Sequence, residues 1–208
     1  MICLLDYEAG NLTSVRLAFE ALGIRDIHIS REPDDVHRAE RIVFPGVGAA
    51  AAAMDTLKRL ELTTAIRAAV ARGIPFLGIC LGTQILLEFS EEDGGTPCLG
   101  IIPGQVKRFT PTNPYDKIPH MGWNAVEFTS PHPIFKGIES GSEFYFVHSY
   151  YPAPDYPENV LATTSYADVT FASVIGKANL VATQFHPERS GRIGLQLLKN
   201  FIEWNGSC

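Results

Sequence analysis

The sequence predicts an α/β fold: a single domain with a mixed, mainly parallel central sheet flanked by helices. Three observations predict it. Short apolar runs alternate with stretches of helical period through the first half of the chain, which is what parallel βαβ units require. The second half turns to strands separated by Pro and Gly clusters. The chain has 208 residues, which suits one compact domain and leaves no room for a second full catalytic one.

The elements follow in order. Residues 2–6 are a short apolar run and read as a first buried strand. Over 12–22, Val15, Ala18, Phe19 and Leu22 recur at the spacing of one helix face, and Gly23 supplies the stop. Strands at 27–30 and 41–44 come next, the latter ending at Pro45-Gly46. Helices over 49–60 and 62–72 are closed by Gly73 and Pro75. Residues 76–79 are another buried strand, and 81–89 another helix. Beyond Cys98 the strands are 106–109, 125–128, 144–149, 160–164, 170–175 and 180–184. A closing helix spans 192–203, with Ile193, Leu197 and Phe201 on one side. No repeat, low-complexity tract or linker divides the chain, so 1–208 read as one domain.

Composition excludes several classes. The net charge is −6 and no block of Lys or Arg stands out, so neither nucleic acid nor an anionic membrane is the expected partner. No apolar run is long enough to span a bilayer, and the N-terminus lacks the basic start of a signal peptide. Cys3, Cys80, Cys98 and Cys208 show no CxxC pairing, which predicts free thiols in a reducing cytoplasm and no structural zinc. His120, His132, His148 and His186 have no metal-ligand spacing, so no metal is expected. Cys3 in a strand, Cys98 near a turn and Cys208 at the terminus read as bland thiols.

Cys80 differs. Gly78-Ile79-Cys80-Leu81-Gly82 sits where a buried strand turns into a helix, the nucleophile-elbow pattern with Cys in place of Ser. A helix starting at Leu81 would aim its amides and dipole at the sulfur and favour thiolate. By itself the motif fits a buried core cysteine equally well. Gln184-Phe185-His186-Pro187-Glu188 ends a later strand and offers a base, His186, with an orienting carboxylate, Glu188, two residues on. The order Cys, His, Glu argues against the lipases and esterases, whose order is Ser, acid, His. Phe44-Pro45-Gly46-Val47-Gly48 follows a strand, where flexible glycines could turn the Gly46–Val47 amide toward an oxyanion. Taken alone, that loop is an ordinary β-to-α turn.

Together these stretches resemble the class I, or triad, glutamine amidotransferases. Asp6-Tyr7 with Gly10-Asn11, Pro119-His120-Met121-Gly122-Trp123-Asn124 and Tyr145-Phe146-Val147-His148-Ser149-Tyr150 extend the resemblance over almost the whole chain. The latter two resemble the branch that serves imidazole glycerol phosphate synthases. Glu8 stands where that family usually has Gly, and Thr83 where it has Met.

The resemblance implies a flavodoxin-like architecture and a glutaminase. Cys80, His186 and Glu188 would be the triad, with the backbone N–H groups of Val47 and Leu81 as oxyanion donors. Gly46, Gly48, Gln84, His148, Ser149 and Tyr150 would hold glutamine. Asn11, Trp123, Tyr145 and Arg189 would face a partner. Read without the family, Gln84 could be a surface residue, His148 a core histidine, and Trp123 and Tyr145 core or surface aromatics. The implied partner is a (β/α)8-barrel cyclase subunit in a heterodimer. It would receive ammonia and convert a ribulosyl-formimino aminoimidazole carboxamide nucleotide into imidazole glycerol phosphate and aminoimidazole carboxamide ribotide (AICAR), a step of histidine biosynthesis. Amide hydrolysis by a thiolate needs no cofactor. The competing readings are a glutaminase feeding another synthase, a stand-alone γ-glutamyl hydrolase or cysteine peptidase, and a non-enzymatic binding protein on the same scaffold.

Overall fold

The structure, a computed structural model, describes residues 1–8 and 10–207; Cys208 lies outside the described residues. The first half runs β1 (Ile2–Leu5), α1 (Leu12–Ala21), β2 (Ile27–Ser30), α2 (Pro33–Arg38), β3 (Arg41–Gly46), α3 (Ala50–Arg59), α4 (Leu62–Ala71), β4 (Phe76–Cys80) and α5 (Leu81–Gln84). The second half is mostly strand: β5 (Phe89–Ser90), β6 (Thr96–Pro97), β7 (Gly104–Arg108), β8 (His120–Phe128), β9 (Ser142–His148), β10 (Tyr150–Pro154), β11 (Val160–Tyr166), β12 (Val169–Lys177) and β13 (Leu180–Thr183). Helix α6 (Gly191–Glu203) closes the fold.

A nine-stranded sheet has the order β2-β1-β3-β4-β13-β12-β11-β8-β9. From β2 to β13 the neighbours are parallel, and from β13 to β9 they are antiparallel. The parallel half needs crossovers; α1 to α4 supply those from β1 through β4, and the second half of the chain lies between β4 and β13. The antiparallel half needs only turns.

Both faces of the parallel half are covered. Cys3, Leu5, Ile42, Phe44, Phe76 and Leu180 point one way, onto Val36, Met54, Leu57 and Ile66 of α2, α3 and α4. Ile2, Leu4, Val43, Leu77, Ile79 and Val181 point the other way, onto Val15 and Phe19 of α1 and Leu197 and Phe201 of α6. This period-two alternation within continuous apolar runs is the mark of a strand buried on both sides. Each fully buried Phe or Leu stabilises the fold by about 1.5–3 kcal/mol.

Several elements differ from the sequence expectation, among them β5, β6 and an earlier start of β8 at His120. The helix expected over 81–89 is a single turn. Its continuation is diverted because the carbonyls of Ile85, Leu86 and Leu87 accept from the N–H groups of Leu99, Ile101 and Gly100, and Phe89–Ser90 pairs as a strand. One turn carries little macrodipole, so any help to a Cys80 thiolate comes from local N–H groups. β10 was not expected because Pro152 and Pro154 interrupt it. It lies at the edge of a second sheet, β10-β7-β5-β6, where missing donors cost nothing. α2 starts with Pro33 in its first turn, followed by Asp34 and Asp35, and ends with His37 and Arg38, a short amphipathic turn that places Val36 in the core.

Candidate active site

Strand β4 delivers Cys80 to the junction with α5 in a positive-φ conformation, φ 54° and ψ −108°. A non-glycine residue there stores on the order of 1–3 kcal/mol of strain. The surrounding glycines show what enforces it. A Cβ on Gly82 would collide with the carbonyl oxygen of Phe44 in β3. A Cβ on Gly78 would come within 2.8 Å of Ala182 in β13. The chain must therefore turn between two close approaches, and the residue at the apex projects out of the sheet. Thr83 fills the position beside them by donating its hydroxyl to the Thr183 carbonyl at 2.6 Å.

Across the sheet, Gly46 pairs with Cys80 in parallel register. The sequence reading gave Gly46 its freedom of rotation as the reason for a glycine. The structure gives a different one: a Cβ there would strike the buried hydroxyl of Tyr7. Gly48, at φ 101° and with open space around it, is the position where conformation itself calls for glycine.

Cys80 is 7% exposed. Its Sγ lies 3.7 Å from Nε2 of Gln184 and 4.0 Å from the carbonyl oxygen of Val147. His186 and Glu188 follow β13. Nδ1 of His186 meets Oε1 of Glu188 at 2.8 Å, and the two side chains are 2% and 0% exposed. Nε2 of His186 is buried without a hydrogen bond. Burial pulls the imidazole toward neutrality. The Cys80 sulfur, with help from Glu188, overrides it and raises the His186 pKa to about 10. The sulfur and the imidazole are thus coupled electrostatically.

The turn carrying the pair is stitched to β9. His186 N–H donates to the Tyr145 carbonyl at 2.9 Å. The Ser190 hydroxyl donates to the His186 carbonyl at 2.7 Å and accepts from the Tyr145 N–H at 3.0 Å.

A cleft of about 270 Å³ opens over the sulfur, lined among others by Val47, Gly48, Leu81, Gln84, Ser149 and Tyr150. The residues expected to hold a ligand are thus gathered there, save Gly46, which sits buried beneath it. Two of them face inward. Nε2 of Gln84 spends its hydrogens on the Tyr150 carbonyl and on Oε1 of Gln184, each at 2.9 Å. His148 lines the cleft, but its ring is engaged on both sides, by the Tyr150 carbonyl at 2.8 Å and by His120 at 2.9 Å. It is held neutral, its pKa lowered by burial to about 3.

Of the residues expected at a partner face, Asn11 belongs to the interior machinery as well: its Nδ2 donates to Oε1 of Glu188, beside His186. Trp123, Tyr145 and Arg189 form one surface cluster at the rim of the triad. The Trp123 and Tyr145 rings meet edge-on at 6.2 Å, and the Arg189 guanidinium lies 4.5 Å over Tyr145. Arg189 therefore stacks on an aromatic face; it does not pair with its neighbour Glu188, whose carboxylate takes His186 and Asn11. Glu8, at φ 65°, occupies a backbone region that favours glycine, and its carboxylate reaches Arg31 and Arg59 at 3.4 and 2.8 Å.

Two residues escaped the sequence reading. Gln184 touches the sulfur, yet nothing in the spacing of its strand marks it. Glu92 lines the cleft as a carboxylate, and its Oε2 accepts from the Ala50 N–H at 2.7 Å. It falls in a short turn with no motif around it.

Comparison with known proteins adds the following. The family model described as glutamine amidotransferase class-I matches residues 4–204. A protein of Nitrosococcus oceani named imidazole glycerol phosphate synthase subunit HisH is 48% identical over 206 residues, covering 99% of this chain and 98% of its own. One of the same name from Chlorobaculum tepidum is 47% identical over 204 residues, covering 98% and 100%. Among solved structures, a crystal structure of a glutamine amidotransferase superposes with a TM-score of 0.70 at 20% identity, covering 97% of each chain. The structure of PurLQS from Thermotoga maritima gives 0.71 at 20%, with the same coverage. At that identity the likeness concerns the fold.

Proposed function

The chain belongs to the class-I glutamine amidotransferases, and on that premise we propose that it is the glutaminase subunit of an imidazole glycerol phosphate synthase. The observation that carries the chemistry is Cys80 held at a strained elbow on the floor of a cleft, with its sulfur raising the pKa of His186. The synthase assignment draws on full-length relatives of that name at 47–48% identity.

The reaction then runs as follows. Glutamine enters with its side-chain amide over Cys80. The thiolate attacks the carbonyl carbon, and the N–H groups of Val47 and Leu81, residues that line the cleft, receive the oxyanion. His186 gives its proton to the amide nitrogen, the C–N bond breaks, and ammonia leaves a γ-glutamyl thioester on Cys80. His186 next takes a proton from water, and the hydroxide displaces the thiolate to give glutamate. Glu188, against Nδ1, keeps the other ring nitrogen facing the sulfur. The Glu92 carboxylate is placed to pair with the substrate's α-ammonium.

Ammonia is consumed on a second chain, a (β/α)8-barrel cyclase subunit paired one-to-one with this one. Trp123, Tyr145 and Arg189 are the proposed docking cluster, since exposed aromatics and Arg anchor interfaces. Among the described residues no helix is long and apolar enough to cross a membrane, in keeping with a cytoplasmic enzyme. The test is glutamine hydrolysis by the chain alone, with the cyclase, and with cyclase plus nucleotide. Activity is expected to rise at each step and to vanish in Cys80→Ala, whose complex still makes product from added ammonium salt. Glutamine turnover by Cys80→Ala would reject the mechanism. Indifference to the cyclase would reject the partner and favour a stand-alone hydrolase.

A further inference from the structure

We propose that Gln184 is a further catalytic residue, an amide donor that holds the Cys80 thiolate. The inference rests on the functional reading above in one respect, that Cys80 is the nucleophile.

Four fixed groups carry the argument. The Tyr150 carbonyl oxygen can only accept. It therefore dictates that Gln84 presents its amide nitrogen, which sits 2.9 Å away. The second hydrogen of that nitrogen points to the Gln184 side chain, again at 2.9 Å, so Gln184 must present its oxygen there. Its own nitrogen is then turned to Sγ of Cys80 at 3.7 Å. The opposite orientation would set two amide nitrogens against each other and an amide oxygen against the sulfur. Gln184 is fully buried and Gln84 is 6% exposed, so water does not compete for these bonds.

The sulfur thus lies between two contacts of opposite preference. The Val147 carbonyl, 4.0 Å away, can accept from a thiol but would repel a thiolate. The Gln184 N–H favours the thiolate. A donor aimed at sulfur from a dry, pre-oriented amide is how a nucleophile is kept charged without a second cation. It also leaves the His186 proton free for the leaving nitrogen.

The experiment is the pH dependence of Cys80 alkylation by iodoacetamide on the full chain in a Cys208→Ser background, read on the Cys80 peptide by mass spectrometry. Gln184→Met keeps the volume and removes the donor, and Gln184→Glu puts a carboxylate in its place. At pH 7 the alkylation rate is expected to fall about 10- to 150-fold in Gln184→Met, the worth of one hydrogen bond to a charged group. It should fall further in Gln184→Glu, with the midpoint of each profile moved to higher pH. Gln84→Met, which frees the Gln184 amide to rotate, should shift the profile the same way by less. A space-filling role predicts that Gln184→Met alkylates like the parent. That result in a folded protein overturns the proposal. Should Gln184→Met not fold, unchanged profiles in both Gln184→Glu and Gln84→Met overturn it equally. The assay needs neither glutamine nor a partner. Profiles that shift as expected in a chain that hydrolyses no glutamine even with cyclase and nucleotide would support Gln184 and reject the glutaminase reading.

Discussion

Glu188→Gln separates the charge of the triad carboxylate from its shape. The substitution keeps volume, and the amide oxygen can occupy the place of Oε1, still accepting from His186 Nδ1 at 2.8 Å and from Asn11. What disappears is the anion beside a buried imidazole. A hydrogen bond to a charged group is worth about 1.5–3 kcal/mol, so kcat/KM for glutamine hydrolysis should fall about 10- to 150-fold in the assembled enzyme. The new amide nitrogen lands where Oε2 lies buried with no partner, which should also lower stability by about 1–3 kcal/mol. Denaturant unfolding measures that part separately. The pH profile carries the sign. Glu188 is among the groups that raise the His186 pKa to about 10 against burial. Its loss should bring the alkaline limb to lower pH. His186→Ala removes the proton carrier itself and should cost more. A Glu188→Gln enzyme within about two-fold of the parent, or one worse than His186→Ala, would refute the role given to Glu188.

Two further outcomes follow from the geometry. Gly82→Ala drives a Cβ into the Phe44 carbonyl, so it should lower stability by about 1–3 kcal/mol or more and abolish alkylation of Cys80, measured by thermal melting and mass spectrometry. Normal stability and alkylation would mean that the elbow does not depend on this contact. Stability should also fall in acid: burial lowers the pKa values of His120 and His132 to about 4 and of His148 to about 3. Their contribution is whole above the unfolded value near 6.5 and is lost as pH drops through 4 toward 3, so the urea midpoint should decline over that window and His148→Gln should flatten the decline.

Much of this was legible in one dimension because the demands on it are local. Periodicity alone gives α1, α3, α4, α6 and the strands of the parallel half, since each buries a simple face. The GxCxG elbow reads from sequence because both glycines answer to hard steric limits. Other features answer to partners far along the chain. Gly46 is a glycine because of Tyr7, and the loop spacing around it suggests only flexibility. α5 stops after one turn because residues 99–102 claim its onward carbonyls, which no propensity of residues 81–89 reveals. Asn11 lies in a loop whose neighbours suggest a surface, and its amide reaches Glu188 across the fold.

Gln184 is the instructive case, because its role is set by polarity passed from group to group. The Tyr150 carbonyl accepts from both Gln84 and His148. On the first side this orients Gln184 toward the sulfur. On the second, His148 must donate through Nδ1, which makes its Nε2 an acceptor for His120 and leaves Nε2 of His120 to accept from Asn124 at 3.2 Å. Every donor points toward one carbonyl, and both imidazoles are required to be neutral. Phe146 and Tyr166 stack on His120 at 4.9 and 3.9 Å, and the burial of the ring disfavours an imidazolium. Protonating either ring would set two N–H groups against each other, at Asn124 for His120 and at His120 for His148. A single acceptor at Tyr150 therefore orients both the histidine pair and the amide donor on Cys80, while burial is what lowers the pKa values of the two histidines.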